Sequence, residues 1–191
     1  MMLSSGKLAG LIWSGFFAYW YLSSVLNRAK TERQESNLSR LFYLGLTGLA
    51  VSLIAFDPAI YGPLLWRFLP EGTLARLLGF AILVSGLCFA IWARLHLGRY
   101  WSGRISLAEN HQLIQTGPYR LVRNPIYFGL LTAFLGTVII IGEVRAIPAF
   151  ILVLVAILYK INQEEKFLKE RFAQEYTEYQ KEVKSLIPFI Y

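Results

Sequence analysis

The segment Gly117-Pro118-Tyr119-Arg120-Leu121-Val122-Arg123-Asn124-Pro125-Ile126-Tyr127 sets a turn, two arginines and two tyrosines directly before an apolar run. Glu164-Glu165 follows the next apolar run but one. Polar groups this close to a bilayer are costly unless paired. A bound cofactor at the membrane surface is one such pairing, and local structure is another. Arg123 doubles as a headgroup anchor, Asn124 as a helix N-cap, and Tyr119 and Tyr127 as members of an interfacial aromatic belt. Successive helical side chains differ by about 100°. Only one of Glu164 and Glu165 can therefore face a bundle squarely, leaving the other for solvent, headgroups or a basic neighbour. His111 has no second histidine or cysteine at ligand spacing, so no metal site is expected. His96 reads as an interfacial residue. No glycine-rich phosphate loop, dinucleotide fingerprint or serine-hydrolase signature occurs.

The elements that carry these residues are apolar. Of 191 residues, 55% are hydrophobic, and the mean hydropathy is +0.46. That suits one integral membrane unit. Apolar runs cover residues 8–26, 41–56, 74–92, 127–141 and 146–159. A span needs about 20 residues, so the second, fourth and fifth must draw on their flanks. The sequence predicts an all-α bundle of five transmembrane helices, the last two forming a hairpin across Gly142-Glu143-Val144-Arg145. Residues 1–94 read as a three-helix scaffold and 95–191 as the region carrying the chemistry, within one structural unit.

The net charge of +7 has a topological origin. Fifteen of the nineteen Lys and Arg fall in the segments after the first, third and fifth runs, and only Lys7, Arg67, Arg76 and Arg145 fall on the other side. The positive-inside rule then sets the N-terminus outside and the C-terminus in the cytoplasm. Nucleic acid is not an expected partner, whereas anionic lipid is. Arg28 and Lys30 follow the first run instead of preceding it, so this run reads as a retained anchor and not a secretory signal. Cys88 is the only cysteine, which excludes an intrachain disulfide.

Locally, residues 27–40 form a polar loop and 95–116 an irregular or helical interfacial segment. Asn124-Pro125 starts the fourth helix, with proline at the first helical position. Phe167, Leu168, Phe172, Tyr176, Tyr179 and Val183 recur at three- and four-residue spacing, which predicts an amphipathic helix. The tail Leu186-Ile187-Pro188-Phe189-Ile190-Tyr191 is then free to turn back onto the apolar surface.

At these residues the chain resembles the isoprenylcysteine carboxyl methyltransferases and, more distantly, the phospholipid N-methyltransferases. The resemblance runs through His111-Gln112-Leu113-Ile114, Gly117-Pro118-Tyr119, Arg123-Asn124-Pro125-Ile126-Tyr127-Phe128-Gly129, Glu164-Glu165, and Phe172-Ala173-Gln174-Glu175-Tyr176-Thr177-Glu178-Tyr179, ending at Ile187-Pro188-Phe189-Ile190. It implies S-adenosylmethionine in a pocket open to the cytosol, bounded by His111, Gln112, Leu113, Ile114, Tyr119, Asn124, Pro125, Ile126, Tyr127 and Glu164. It implies a lipid or lipidated acceptor, such as isoprenylcysteine, near Lys160, with Arg123 and Glu165 shaping the reaction centre. In a bacterium the protein would lie in the inner membrane. Three positions depart from the family pattern. Asn124 replaces a histidine, which keeps hydrogen bonding but loses imidazole protonation. Lys160 replaces an arginine and so lacks the bidentate fork. Ala173 replaces a glycine. The alternatives left standing are lipid N-methylation, an NADPH-dependent reductase of the sterol-reductase type, and a non-catalytic membrane scaffold.

Overall fold

The computed structural model describes residues 4–26, 31–55, 62–98, 101, 106–108 and 113–191. Five helices dominate: α1 (Ser5–Leu26), α2 (Asn37–Ala55), α3 (Thr73–Leu97), α4 (Pro125–Ile141) and α5 (Ala146–Glu182). Four are long and apolar enough to cross a membrane, and α4 is a shorter apolar helix. Leu11, Phe17, Leu22, Leu41, Leu77 and Ile151 stand exposed around the bundle. An apolar exterior of this kind suits lipid contact, so the protein is an integral, multi-pass membrane helical bundle.

Two polar segments pair on one side of that bundle. Strand β1 (Thr31–Gln34) runs antiparallel to β2 (Ser106–Ala108), with Arg33 opposite Leu107. The ladder corrects the expectation of an irregular or helical segment there, because each loop satisfies backbone groups of the other. On the other side, Phe68 N–H donates to the Gly142 carbonyl at 2.9 Å, and Arg67 bridges to Glu143. Alternate inter-helix connections thus gather at opposite ends of the bundle.

Glycine sets the central contact. Gly79 and Gly86 on α3 face Gly129 and Gly136 on α4, with the same spacing along both helices. A Cβ on Gly86 would lie 2.4 Å from the Ala133 nitrogen, and one on Gly136 would lie 2.4 Å from that of Leu83. The two backbones therefore touch, which gives dense van der Waals packing where lipid offers no hydrophobic gain. Trp13 of α1 closes on the same helix, its Nε1 donating to Thr137 Oγ1 at 2.9 Å.

The expected hairpin is present. Gly142 ends α4 in the left-handed region at φ 65° and donates to the Val138 carbonyl. Beside it Arg145 is buried, donating to Glu143 Oε2 at 2.6 Å and to the last carbonyls of α2, Leu53 and Ile54. Arg94 is buried too, its guanidinium 3.8 Å from the Trp101 ring centre and its Nη1 donating to Gly98. Both arginines serve as interior caps and not as headgroup charges.

The amphipathic helix read after residue 166 is present, and its first residues, up to Phe172, continue the membrane helix before a kink. Helix α5 continues from the membrane to Glu182, broken at Ala173, where φ is 40° and ψ −105°. Tyr176 and Tyr179 beyond the break are buried, and Leu186 of the tail is buried with them. Ile187, Phe189 and Ile190 remain exposed, so only part of the tail folds back.

Candidate functional site

A 3-10 turn over Gly117–Arg120 delivers the motif to α4. Gly117 has φ 59°, and a Cβ there would lie 2.6 Å from the His96 ring, so the turn needs glycine twice over. His96 Nε2 and Thr116 Oγ1 are 2.9 Å apart. Tyr119 is buried, its carbonyl accepting a short hydrogen bond from the Tyr179 hydroxyl. Burial, reinforced by the Glu164 carboxylate, pushes its hydroxyl above the usual tyrosine range. It ties the turn to both α3 and α5 and does not sit in an aromatic belt.

Arg123 and Asn124 lock onto the far end of α5. Their backbone N–H groups donate to the carbonyls of Lys184 and Ser185 at 2.8 and 3.0 Å. Arg123 Nη2 reaches both oxygens of Glu165 at 3.0 Å, Nε reaches Oε1 at 3.2 Å, and Nη1 donates to the Val183 carbonyl. Hydrogen bonds to Glu165 overcome the opposing effect of burial and hold the guanidinium above its ordinary range. Asn124 stands at the N-cap position, yet its side chain makes no cap. Its Nδ2 donates instead to Glu165 Oε1 at 2.9 Å and to the Ser185 carbonyl at 3.1 Å. Ser185 Oγ and Gln180 Nε2 complete the set around Glu165 at 3.0 and 2.9 Å. Each oxygen of that carboxylate already accepts more than one hydrogen bond.

Glu164 contrasts with its neighbour. The Tyr127 hydroxyl donates to Oε1 at 2.6 Å, while Oε2 takes no hydrogen bond from the described residues. One helical turn earlier, Lys160 holds Nζ 5.0 Å over the Tyr43 ring and 5.6 Å over the Tyr127 ring. The two glutamates are thus both partnered, on two faces of one helix, and Glu165 has the basic neighbour.

A cavity of about 700 Å3 flanks the Glu165 face, walled by Phe42, Val155, Leu158 and Ile190 and edged by Arg123 and Lys184. Lys160 is not part of its lining, although Phe42 and Tyr159 adjoin Tyr43 and Lys160 in sequence. Pro125 and Ile126 are buried, Ile126 against Ala93 and Trp101, so their side chains belong to the core. Leu113 and Ile114 are half-buried in the approach to the turn. His111 and Gln112 lie outside the described residues.

Sequence reasoning missed Tyr43, Glu35, Gln180 and Ser185. Tyr43 is one aromatic residue in an apolar run, with nothing around it to signal a site. Ser185 and Gln180 belong to the amphipathic helix and its tail, but their role depends on where the kink at Ala173 sends the chain.

Comparison with known proteins agrees with this architecture. A family model described as phospholipid methyltransferase matches residues 74–175, over half the chain. A probable protein-S-isoprenylcysteine O-methyltransferase of Oryza sativa subsp. indica is 35% identical over 130 residues, 66% of this chain and 68% of its own. Protein-S-isoprenylcysteine O-methyltransferase B of Arabidopsis thaliana is 30% identical over 115 residues, 59% and 58% of the two chains. A solved eukaryotic intramembrane Ras methyltransferase, isoprenylcysteine carboxyl methyltransferase, superposes with a TM-score of 0.53 at 23% identity. That superposition covers 91% of this chain but 53% of the other, so the chain spans about half that structure's length and shares its fold. These matches do not favour the reductase and scaffold alternatives. On the sequence, the bundle and the family match together, this chain belongs to the phospholipid methyltransferase family, among the isoprenylcysteine carboxyl methyltransferases, and is a membrane methyltransferase.

Proposed function

We propose that the protein methylates the carboxylate of a lipid or lipidated acceptor, an S-prenylated cysteine in the first instance, using S-adenosylmethionine. The observation that carries this reading is the contrast between Glu164, whose Oε2 takes no hydrogen bond from the described residues and whose Oε1 accepts from Tyr127, and Glu165, whose oxygens are both taken. A carboxylate beside an aromatic wall fits a cofactor bearing an ammonium, a sulfonium and ribose hydroxyls. Glu164 and Tyr127 are the groups that would hold it, with the main chain of Leu113 and Ile114 and with His111 and Gln112 completing the set. Tyr119, Asn124, Pro125 and Ile126 act from behind, by fixing the wall.

S-adenosylmethionine, when bound, supplies a methyl group already activated on sulfur. The chain's own part is to bind, align and exclude water, which lowers the barrier by removing translational and orientational freedom. A carboxylate acceptor is ionised at neutral pH and needs no base, whereas an amine must first lose a proton. Glu165 has no lone pair free for such a proton. Arg123 and Glu165, expected at the reaction centre, are therefore assigned here as positioning residues that pin α4 to the end of α5. The apolar wall of the cavity beside them suits the hydrocarbon body of a lipidated acceptor. Lys160 is assigned to the acceptor carboxylate. By charge distribution the N-terminus lies outside and the C-terminus in the cytoplasm, in the inner membrane if the source is bacterial.

The test is methyl transfer from labelled S-adenosylmethionine by purified protein in lipid nanodiscs, offered an S-farnesylated cysteine or phosphatidylethanolamine. Base-labile label on the prenylated cysteine, lost in Glu164→Gln together with donor binding, is the expected result. Label on the amine alone, or donor binding indifferent to Glu164→Gln, would overturn the reading.

A further inference from the structure

We propose that Tyr43 and Glu35, from the half of the chain read as scaffold, are positioning residues for Lys160 and so part of acceptor recognition. The inference rests on the assignment of Lys160 to the acceptor carboxylate. Lysine presents a compact charge on a flexible stem, without the planar fork by which arginine fixes its own direction. Something else must aim it. In the structure the Lys160 ammonium lies against two rings, Tyr43 of α2 and Tyr127 of α4, at 5.0 and 5.6 Å. Both hydroxyls donate to carboxylates. Tyr43 donates to Glu35 Oε1 at 2.7 Å, and Tyr127 donates to Glu164 Oε1 at 2.6 Å.

This pairing does two things. It anchors the far end of each ring, and it leaves the negative ring faces for the cation. A phenol that donates to a carboxylate is also polarised toward phenolate, which strengthens its attraction for a cation. Tyr43 is itself buried, and Ser39 Oγ lies 3.4 Å from Glu35 Oε2, so the second clamp arm is held at both ends. The clamp supplies the direction that the family's arginine would carry in its own geometry. Phe42 and Tyr159, the sequence neighbours of Tyr43 and Lys160, border the cavity and lie 4.8 Å apart between ring centres.

The test is a double-mutant cycle between position 43 and position 160, read as acceptor KM, kcat and donor Kd in nanodiscs. Removing a cation–ring contact in a partly desolvated site should cost about three- to thirty-fold. Tyr43→Leu is expected to raise acceptor KM by that factor with donor Kd unchanged, and to have no further effect in a Lys160→Met background. Tyr43→Phe, which keeps the ring, and Glu35→Gln should fall between. Equal effects of Tyr43→Leu with and without Lys160, or a shift in donor Kd in place of KM, would overturn the proposal. A second readout needs no substrate: labelling of Lys160 by an amine-reactive reagent, mapped by mass spectrometry, should accelerate several-fold in Tyr43→Leu. Unchanged labelling would overturn the clamp. Accelerated labelling in a protein with no methyl transfer would instead leave the clamp standing and sink the methyltransferase assignment beneath it.

Discussion

Ala173→Gly should stabilise this protein, although it puts glycine inside a helix. Helix α5 breaks at Ala173, whose φ of 40° and ψ of −105° lie where a Cβ is disfavoured. Holding a non-glycine residue in such a region costs about 1–3 kcal/mol. Glycine relieves that strain but gives the unfolded chain more freedom, worth about 0.4–1 kcal/mol in the opposite sense. The balance is a gain of about 1 kcal/mol, or roughly 2–4 °C in melting temperature for a chain of this size. The assay is unfolding followed by helical circular dichroism in one detergent, by heat and by SDS titration. Lys169→Gly, on the exposed face of the same helix before the break, is the control. It should lose about 1 kcal/mol, as glycine does inside a regular helix. If Ala173→Gly loses stability like the control, residue 173 is ordinary helix, and the route by which Tyr176, Tyr179 and Ser185 reach the site is wrong.

The remaining expectations concern packing and the Glu165 cluster. Gly86→Val should separate α3 from α4, because its Cβ would sit 2.4 Å from a backbone nitrogen that cannot yield, and folded yield in detergent should collapse. Gly45→Val, whose Cβ meets nothing within 4 Å, should leave yield unchanged. Arg123→Lys keeps the charge but loses the fork to Glu165, and should cost about 2–4 kcal/mol in the same unfolding assay. Asn124→Asp replaces a donor 2.9 Å from Glu165 by a second carboxylate, and should cost several kcal/mol at pH 7 and less at pH 4, where a carboxyl can carry a proton.

The bundle was legible because apolar runs, cation asymmetry and the Gly142 turn are local features. The layout of five helices, the hairpin and the start of α4 at Pro125 follow from them. The β1–β2 ladder was not legible, since neither polar loop carries an alternating pattern and each strand exists only by virtue of the other. The α3–α4 contact was written in Gly79, Gly86, Gly129 and Gly136, yet a glycine spacing gains meaning only when the facing helix is known. The site divided the same way. Its motif residues announced themselves by density of polar groups beside a membrane, while Tyr43 did not, because one tyrosine in an apolar span has no local mark. The burial of Arg94 and Arg145 was hidden by the same limit: charge counting treats every arginine as a headgroup neighbour.

The three departures from the family pattern look independent in sequence but sit around one stretch of α5. Asn124 donates to Glu165, Lys160 lies one turn before Glu164, and Ala173 makes the bend that returns Ser185 to Glu165. If the motif histidine acted as an acid or base, asparagine would abolish function, since an amide neither gains nor gives a proton near neutral pH. In the structure the position does something different, aiming one N–H at a carboxylate that Arg123 alone does not saturate. An imidazole N–H can meet that demand as well as an amide can. Asn124→His should therefore keep Glu165 paired, and melt within about 1 kcal/mol of the parent protein. Asn124→Leu, which leaves Glu165 short of a donor, should lose about 1–3 kcal/mol. Were the two variants equally damaging, hydrogen bonding would not be what the position requires, and the assignment of Glu165 as a positioning residue would fall with it.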